Sequence, residues 1–406
     1  MFRAFDDAFD FLRSATDYER MAAPLARYDL RRMEKLVREL GHPERSFRCL
    51  HIAGTKGKGS TAHMAEALLR TSGFRTGLYT SPHLVHPLER IRLDGRPIPE
   101  SEFLWAMNRM EDVLRRLKPT FFEIMTAGAF LVFARRRVDW AVIEVGLGGR
   151  LDATNVIRPE ACAITTIDYD HMDRLGTTLA AIAGEKAGIR KPGVPLVSSP
   201  QRTAAARVIG KAIRPSVQIL RAEGGVLEFK SGKWRARLRA AGRHQAANAA
   251  TALALVEAGG VALRQGAVRR AFAGLRLPAR TESIGRVVVD AAHNPVAARA
   301  LAAALKTLPR ARRTILVFGA SADKDTRGMI RALAAAADFW VLTRADHPRA
   351  ADPASLRAPG RPAVIARSVA EGMATARALA GPGDRIVVTG SFYVAGEALA
   401  WLGLGG

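Results

Sequence analysis

A chain of 406 residues exceeds the usual size of one compact domain, so two domains are expected. Hydrophobic residues at 48% can fill sizeable cores, and no apolar run reaches the length of a membrane-spanning helix. The 62 Lys and Arg against 38 Asp and Glu give a net charge of +24, but the arginines are scattered, as in Arg235, Arg237 and Arg239. With no long basic tail and no aromatic-interleaved basic stripe, the excess suits attraction of small polyanions, and neither nucleic acid nor membrane is an expected partner.

The N-terminal stretch MFRAFDDAFDFLRS carries acids among its apolar residues and lacks a signal-peptide core. YDLRRMEKLVREL reads as a helix, and CLHIAG as a buried strand that runs into a Gly-rich loop and a helix from about Ser60 to Thr71. TGLYTS, WAVIEVG and ACAITTI read as further buried strands, with helices over SEFLWAMNRMEDVLRRL and EIMTAGAFLVFARR. VLEFKSGKWRARLR alternates around Ser231-Gly232 and predicts an antiparallel hairpin. The stretch LRLPARTES, with Pro278, marks the break; beyond it RVVVDAA, TILVFGA, FWVLTRA and RIVVTGS are strands interleaved with helices such as PVAARALAAALKTL. The pattern is α/β with two domains: a P-loop-type, mostly parallel sheet domain over residues 1–280, and a smaller doubly wound, Rossmann-like domain over 281–406. Cys49 and Cys162 lie far apart in apolar strand contexts, so free buried thiols and a reducing, cytoplasmic setting are expected.

The run from His51 to Thr61, HIAGTKGKGST, lies between a strand and a helix. Glycines there let backbone N–H groups approach phosphate oxygens, and a helix N-terminus adds positive potential. Gly57 and Gly59 are the close-approach positions, Lys58 can reach the outer phosphates, and Ser60 or Thr61 offers a hydroxyl near a metal. The spacing departs from G-x-x-x-x-G-K-[ST], so the strand-loop-helix context carries the reading. Asp290 and His293, in VVVDAAHNP, sit at the carboxyl end of a strand, where ligands bind in α/β sheets.

GTKGKGST resembles the phosphate loop of the Mur ligase superfamily, and within it that of folylpolyglutamate and dihydrofolate synthases. The resemblance continues in order through TSPHLVHPLERIRLDG, TFFEIMTAGAF, EVGLGGRLDATN, ITTIDYDHMDRLGTT, EKAGIRK, HQAANAATAL, DAAHNP, FGASADKD and GSFYVAGEAL. Lys56 and Ala291 depart from it, where many bacterial members have Asn and Gly. The resemblance implies an ATP-dependent ligase that joins L-glutamate to dihydropteroate, or to the γ-carboxylate of a folate, through an acyl phosphate. It implies magnesium at Ser60, Ser81, Glu144 and His171, and a carbamylated Lys186 at a second ion. It also implies ATP held by the loop with Asn248, Arg280 and Asp290, and His293 near the nucleotide. The pteroate-type substrate is expected against Phe121 or Phe122 and the loop Leu151, Asp152 and Ala153. Dual activity and a monomer are expected. A cell-wall amino-acid ligase is disfavoured by TSPHL and ERI, and a non-catalytic nucleotide-binding protein by the intact set Lys58, Glu144, His171, Lys186 and Asp290.

Overall fold

The computed structural model describes residues 1–17, 29–358 and 360–404. Seven strands form the first sheet: β1 (Arg48–Ala53), β2 (Thr76–Tyr79), β3 (Ile91–Leu93), β4 (Arg96–Pro97), β5 (Trp140–Glu144), β6 (Ala161–Ile164) and β7 (Leu196–Ser198). Their order is β4-β3-β2-β5-β1-β6-β7, with β3 and β4 antiparallel at one edge and the rest parallel. Alternation along each strand sorts the apolar residues onto two faces. Cys49, Tyr79, Ala141 and Ile143 enter one core, under the helices Phe5–Ser14, Leu30–Glu39, Glu100–Leu117 and Phe121–Arg135. Leu50, Ile52, Leu78 and Val142 enter the other, under the helices Lys58–Thr71, His244–Ala258 and Gln265–Ala273. A central parallel sheet covered on both sides reads as continuous apolar runs, which is why CLHIA and WAVIE look as they do.

The expected hairpin is present as β9 (Val226–Ser231) and β10 (Trp234–Arg239), but a third strand, β8 (Gln218–Glu223), pairs on its other side. β8 escaped the sequence reading because it is an edge strand whose residues are at most half-buried. The inner face of this small sheet, with Leu227, Phe229, Trp234 and Leu238, joins the second core, leaving Arg235, Arg237 and Arg239 in solvent.

The third sheet has β11 (Glu282–Ile284), β12 (Val287–Val289), β13 (Thr314–Phe318), β14 (Phe339–Leu342), β15 (Ala363–Ile365) and β16 (Arg385–Thr389), ordered β11-β12-β16-β13-β14-β15. All but β11 are parallel. Val289, Val317 and Val388 face one core with the helices Val369–Leu379 and Phe392–Trp401, whereas Val288, Leu316 and Val387 face the other with Pro295–Leu305 and Thr326–Leu333. This is the doubly wound arrangement expected; the exposed edge strand β15 and the short edge strand β11 carry no buried apolar pattern and are not legible in the sequence.

Helix ends follow local chemistry. Thr120 caps the helix Phe121–Arg135 in a capping box: Glu123 N–H reaches its hydroxyl, and the Glu123 carboxylate accepts the Thr120 N–H at 2.7 Å. That cap starts the helix two residues before the expected EIM. Asp29 caps Leu30–Glu39; Tyr28, included in the expected helix, lies outside the described residues. The glycine loop passes into its helix at Lys58, earlier than Ser60. Both cysteines are buried free thiols. Among the described residues no helix is long and apolar enough to cross a membrane.

Candidate active site

The two large sheets aim the carboxyl ends of their parallel strands into one cleft of about 1510 Å³. The first sheet contributes Thr55–Ser60 after β1, Ser81 after β2, Glu144 at the end of β5 and the residues around His171 after β6. The second contributes Asp290–His293 after β12, Ser321 and Lys324 after β13, His347 and Arg349 after β14, and Phe392 and Tyr393 after β16. A site built this way follows from the strand-end rule for open α/β sheets.

The loop after β1 is tied to the strand end of β6, because Thr55 and Lys56 N–H both donate to the Thr166 carbonyl, at 3.1 and 3.0 Å. Gly57 stands at φ +89°, and a Cβ there would collide with the Asn248 side chain. Glycine is therefore needed for both conformation and approach, and Asn248 is pressed against the loop. Lys58 opens the helix, so the loop N–H groups and the positive helix end face the cleft together. Ser60 reaches the cleft wall; Thr61 does not, being fully buried, with its hydroxyl unpartnered among the described residues. Of the two hydroxyls considered for the metal, geometry thus leaves Ser60. Lys56, which adds charge beside the loop, is ion-paired to Asp168 at 2.7 Å.

Glu144 is 3% exposed, and one of its oxygens accepts the Ser81 N–H at 3.2 Å. Burial raises its pKa; the nearby Lys58, this backbone bond and Arg280 pull the other way. His171 sits in the left-handed region at φ +48° with its ring open to the cleft, 3.9 Å from the Asp170 carboxylate. Lys186 lies behind the loop in the helix Leu179–Ala187, 4% exposed, donating to the Gly54 carbonyl at 3.0 Å. Its neighbour Glu185 is committed to Arg150 at 2.9 Å. Burial, then the like charge of Lys58, pushes the Lys186 pKa down to about 7.

Asp152 is buried and caps a turn, accepting Leu147 N–H at 2.9 Å and the Thr154 N–H and hydroxyl at 3.0 and 2.6 Å. Leu151 and Ala153 line the cleft beside it, as does Phe122. Phe121 does not: it turns into the core, with the Arg90 guanidinium 5.0 Å over its ring. Successive helical residues point about 100° apart, and here that turn carries Phe121 into the core while Phe122 faces the cleft.

Asp290 receives the Thr281 N–H and hydroxyl at 2.7 and 2.9 Å and the Ala292 N–H at 2.8 Å. It thus braces the segment entering the third sheet while still lining the cleft. Glu282, the alternative partner for Arg280, is taken by Arg276 at 2.6 Å and by Ala279 N–H. Arg280 instead lies 5.1 Å over the Phe392 ring, whose centroid is 5.2 Å from that of His293. All of the expected site residues therefore meet at or directly behind one cleft, except Phe121 and Thr61.

The sequence reading passed over several lining groups: the Arg32–Glu123 pair at 2.8 Å, Arg90 donating to His83 at 2.9 Å, Lys324, and Arg349 against the Tyr393 hydroxyl at 3.1 Å. Lys324, Arg349 and Tyr393 follow strand ends, so the strand-end rule applied to every strand would have found them.

No group of three His, Cys, Asp or Glu side chains converges on a metal position among the described residues. Magnesium does not require one, since it commonly takes one or two carboxylates and completes its shell with phosphates and water. The Glu144 carboxylate with the Ser60 and Ser81 hydroxyls beside the loop fits that donor set.

Residues 52–195 match the Mur ligase middle domain, and residues 276–392 match the Mur ligase, glutamate ligase domain. The chain is 39% identical over 374 residues to the dihydrofolate synthase/folylpolyglutamate synthase of Mycobacterium tuberculosis, covering 80% of this chain and 75% of that one. It is 35% identical over 386 residues to the Bacillus subtilis protein of the same name, covering 86% and 87%. The structure superposes on M. tuberculosis folylpolyglutamate synthase complexed with ADP with a TM-score of 0.87 at 35% identity, covering 98% of each chain. It superposes on E. coli FolC in complex with DHPP and ADP with a TM-score of 0.86 at 29% identity, again over 98% of each. The chain belongs to the dihydrofolate synthase/folylpolyglutamate synthase family of Mur ligases.

Proposed function

We propose that the protein is an ATP-dependent ligase that adds L-glutamate to dihydropteroate and to the γ-carboxylate of reduced folates. The observation that carries this reading is the shared cleft, where a glycine loop from one sheet faces the cationic and imidazole groups of another. The chain divides, in this reading, into an ATP-binding domain over 1–280 and a ligase domain over 281–406. An acid and an amine do not condense in water unaided. Transfer of the γ-phosphoryl group to the acceptor carboxylate gives an acyl phosphate; the glutamate amine attacks its carbonyl carbon, and phosphate leaves. Such transfer depends on position and charge neutralisation more than on covalent help from the protein.

Gly57, Gly59 and the start of the helix cradle the phosphates, Lys58 neutralises the moving phosphoryl group, and Asn248, Arg280 and Asp290 hold the nucleotide. Ser60, Ser81 and Glu144 would hold magnesium, and His171 with a carbamylated Lys186 a second ion; bound metal would add neutralisation at the phosphate oxygens. His293 faces the nucleotide. Phe122 and the turn Leu151–Ala153 contact the pterin end of the acceptor. Cytoplasmic location accords with two free thiols.

The test is product analysis by mass after incubation with ATP, magnesium, L-glutamate and either dihydropteroate or a tetrahydrofolate. One glutamyl addition per ATP is expected with each acceptor. Product from tetrahydrofolate alone would leave a monofunctional polyglutamate synthase; ATP hydrolysis with no amide product from any acceptor would remove the ligase reading.

A further inference from the structure

The segment between β2 and β3 belongs in sequence to the first sheet but packs on the core of the third. Leu84 and Val85 lie against the cluster that contains Val394, Ala395, Ala398 and Leu399 of the helix Phe392–Trp401. The contact is closest at backbone level. A Cβ built on Gly396 would overlap the Leu84 carbonyl oxygen outright and lie 2.7 Å from its carbon. Gly396 is in mid-helix, where glycine costs helix stability relative to alanine, so the absent side chain has a packing reason.

The segment is pinned at residues 84–86. The Glu89 carboxylate gathers three successive N–H groups, from Leu84, Val85 and His86, at 3.0, 3.0 and 2.8 Å. With residues 84–86 pinned to Glu89, a displacement at Leu84 falls on the short stretch back to Ser81. Three residues upstream, Ser81 N–H holds the Glu144 carboxylate. The same helix begins at Phe392, against Arg280 and His293. One helix thus meets the segment that carries Ser81 through Leu84, and Arg280 through Phe392, while Glu144 and Arg280 lie side by side next to Gly59.

We propose that Gly396 is a positioning residue: it seats the Ser81–Leu84 segment directly on the helix Phe392–Trp401, so that Ser81 and the Glu144 carboxylate it holds are set in place beside Arg280. The proposal rests on the ligase reading above. Adding a methyl group at Gly396 must push the Leu84 peptide and the helix apart, and small misplacements of this kind are costly for group transfer while leaving each half-site intact.

The experiment compares Gly396→Ala with Met373→Ala. Met373 is fully buried in the same core on the helix Val369–Leu379, so its truncation destabilises the core without lengthening the Leu84 contact. For Gly396→Ala, kcat for ligation should fall about tenfold or more, with the KM for ATP changed by less than about threefold. Hydrogen exchange of the peptide covering residues 81–90 should rise in this variant, with or without substrates. For Met373→Ala the melting temperature should fall, while kcat and exchange at 81–90 stay close to wild type. Equal losses of kcat in the two variants, in step with melting temperature, would mean a merely structural glycine and would overturn the proposal. So would a Gly396→Ala enzyme with wild-type kcat and exchange. A wild-type protein that forms no amide product condemns the ligase reading instead, and exchange at 81–90 still reports the contact.

Discussion

Charge and burial set the behaviour of single residues in the cleft. Lys58 and Glu144 are close enough for the lysine to oppose the burial-driven rise of the Glu144 pKa. Lys58→Ala should reduce kcat/KM by about 100-fold or more, as should Glu144→Ala, because each removes a charge that complements the transferring phosphoryl group and its metal in the proposed reaction. Thermal unfolding of both variants should stay within a few degrees of wild type, since Lys58 is a helix-opening residue on the cleft wall and Glu144 is a buried acid with one bond. Activity within about tenfold of wild type, or about 1.4 kcal/mol of barrier, would rule the roles out. Lys186 poses a different problem. Among the described residues its ammonium has a carbonyl partner and no carboxylate one, and burial pushes its pKa down to about 7, which favours the neutral amine that carbamylation requires. Labelled bicarbonate should give a carbamate carbon resonance that disappears in Lys186→Ala. Ligation should collapse in that variant and return in part with short carboxylates; rescue by a primary amine alone would identify a working ammonium.

At the scale of elements, β1 carries a histidine into the sheet interior. His51 is 0% exposed, with Nε2 2.9 Å from the Thr154 hydroxyl and, among the described residues, no partner for Nδ1. Burial, followed by the charge of Lys191, lowers its pKa from 6.5 to about 3. The sign follows from proton counting. Below pH 6.5 the unfolded chain takes up a proton at this site and the folded chain does not, so stability falls as pH falls. The slope is about 1.4 kcal/mol per pH unit until the folded-state value is reached. His51→Gln should therefore show a flatter loss of unfolding free energy between pH 6.5 and 4, measured by urea titration; parallel curves would contradict the assignment. The brace at Asp290 is a second element-level feature, linking the entry segment to β12. Asp290→Ala strands the Thr281 and Ala292 N–H donors and should cost about 1–3 kcal/mol of stability, in addition to any loss of ligation.

For the whole molecule, the charge of +24 and the placement of the site between two sheets act together. A strongly cationic protein draws multiply charged anions toward its cleft, and salt weakens this as the Debye length shrinks from about 10 Å at 0.1 M to about 3 Å at 1 M. The KM for a folate bearing several glutamates should therefore rise more steeply with potassium chloride than the KM for the monoglutamate. Equal salt dependence would show that the net charge plays no part in acceptor capture.

The amino-acid order alone determined the α/β class, the parallel central strands and the phosphate loop, because buried strands must be apolar throughout and a phosphate cradle needs glycines between a strand and a helix. Family resemblance in the same letters named Glu144, His171, Lys186 and Asp290, residues more than a hundred positions apart at the extremes. Tertiary structure decided what local pattern does not encode. It separated Phe122 on the cleft wall from Phe121 in the core, and Ser60 from the buried Thr61. It left Glu282 to Arg276 and so turned Arg280 toward Phe392. The exposed edge strands β8 and β15 carry too little buried apolar surface to mark themselves, and are held by pairing with neighbours. The seat of Leu84 on Gly396 joins residues 312 positions apart through one backbone contact, and no periodicity, motif or propensity along the chain registers such a distance.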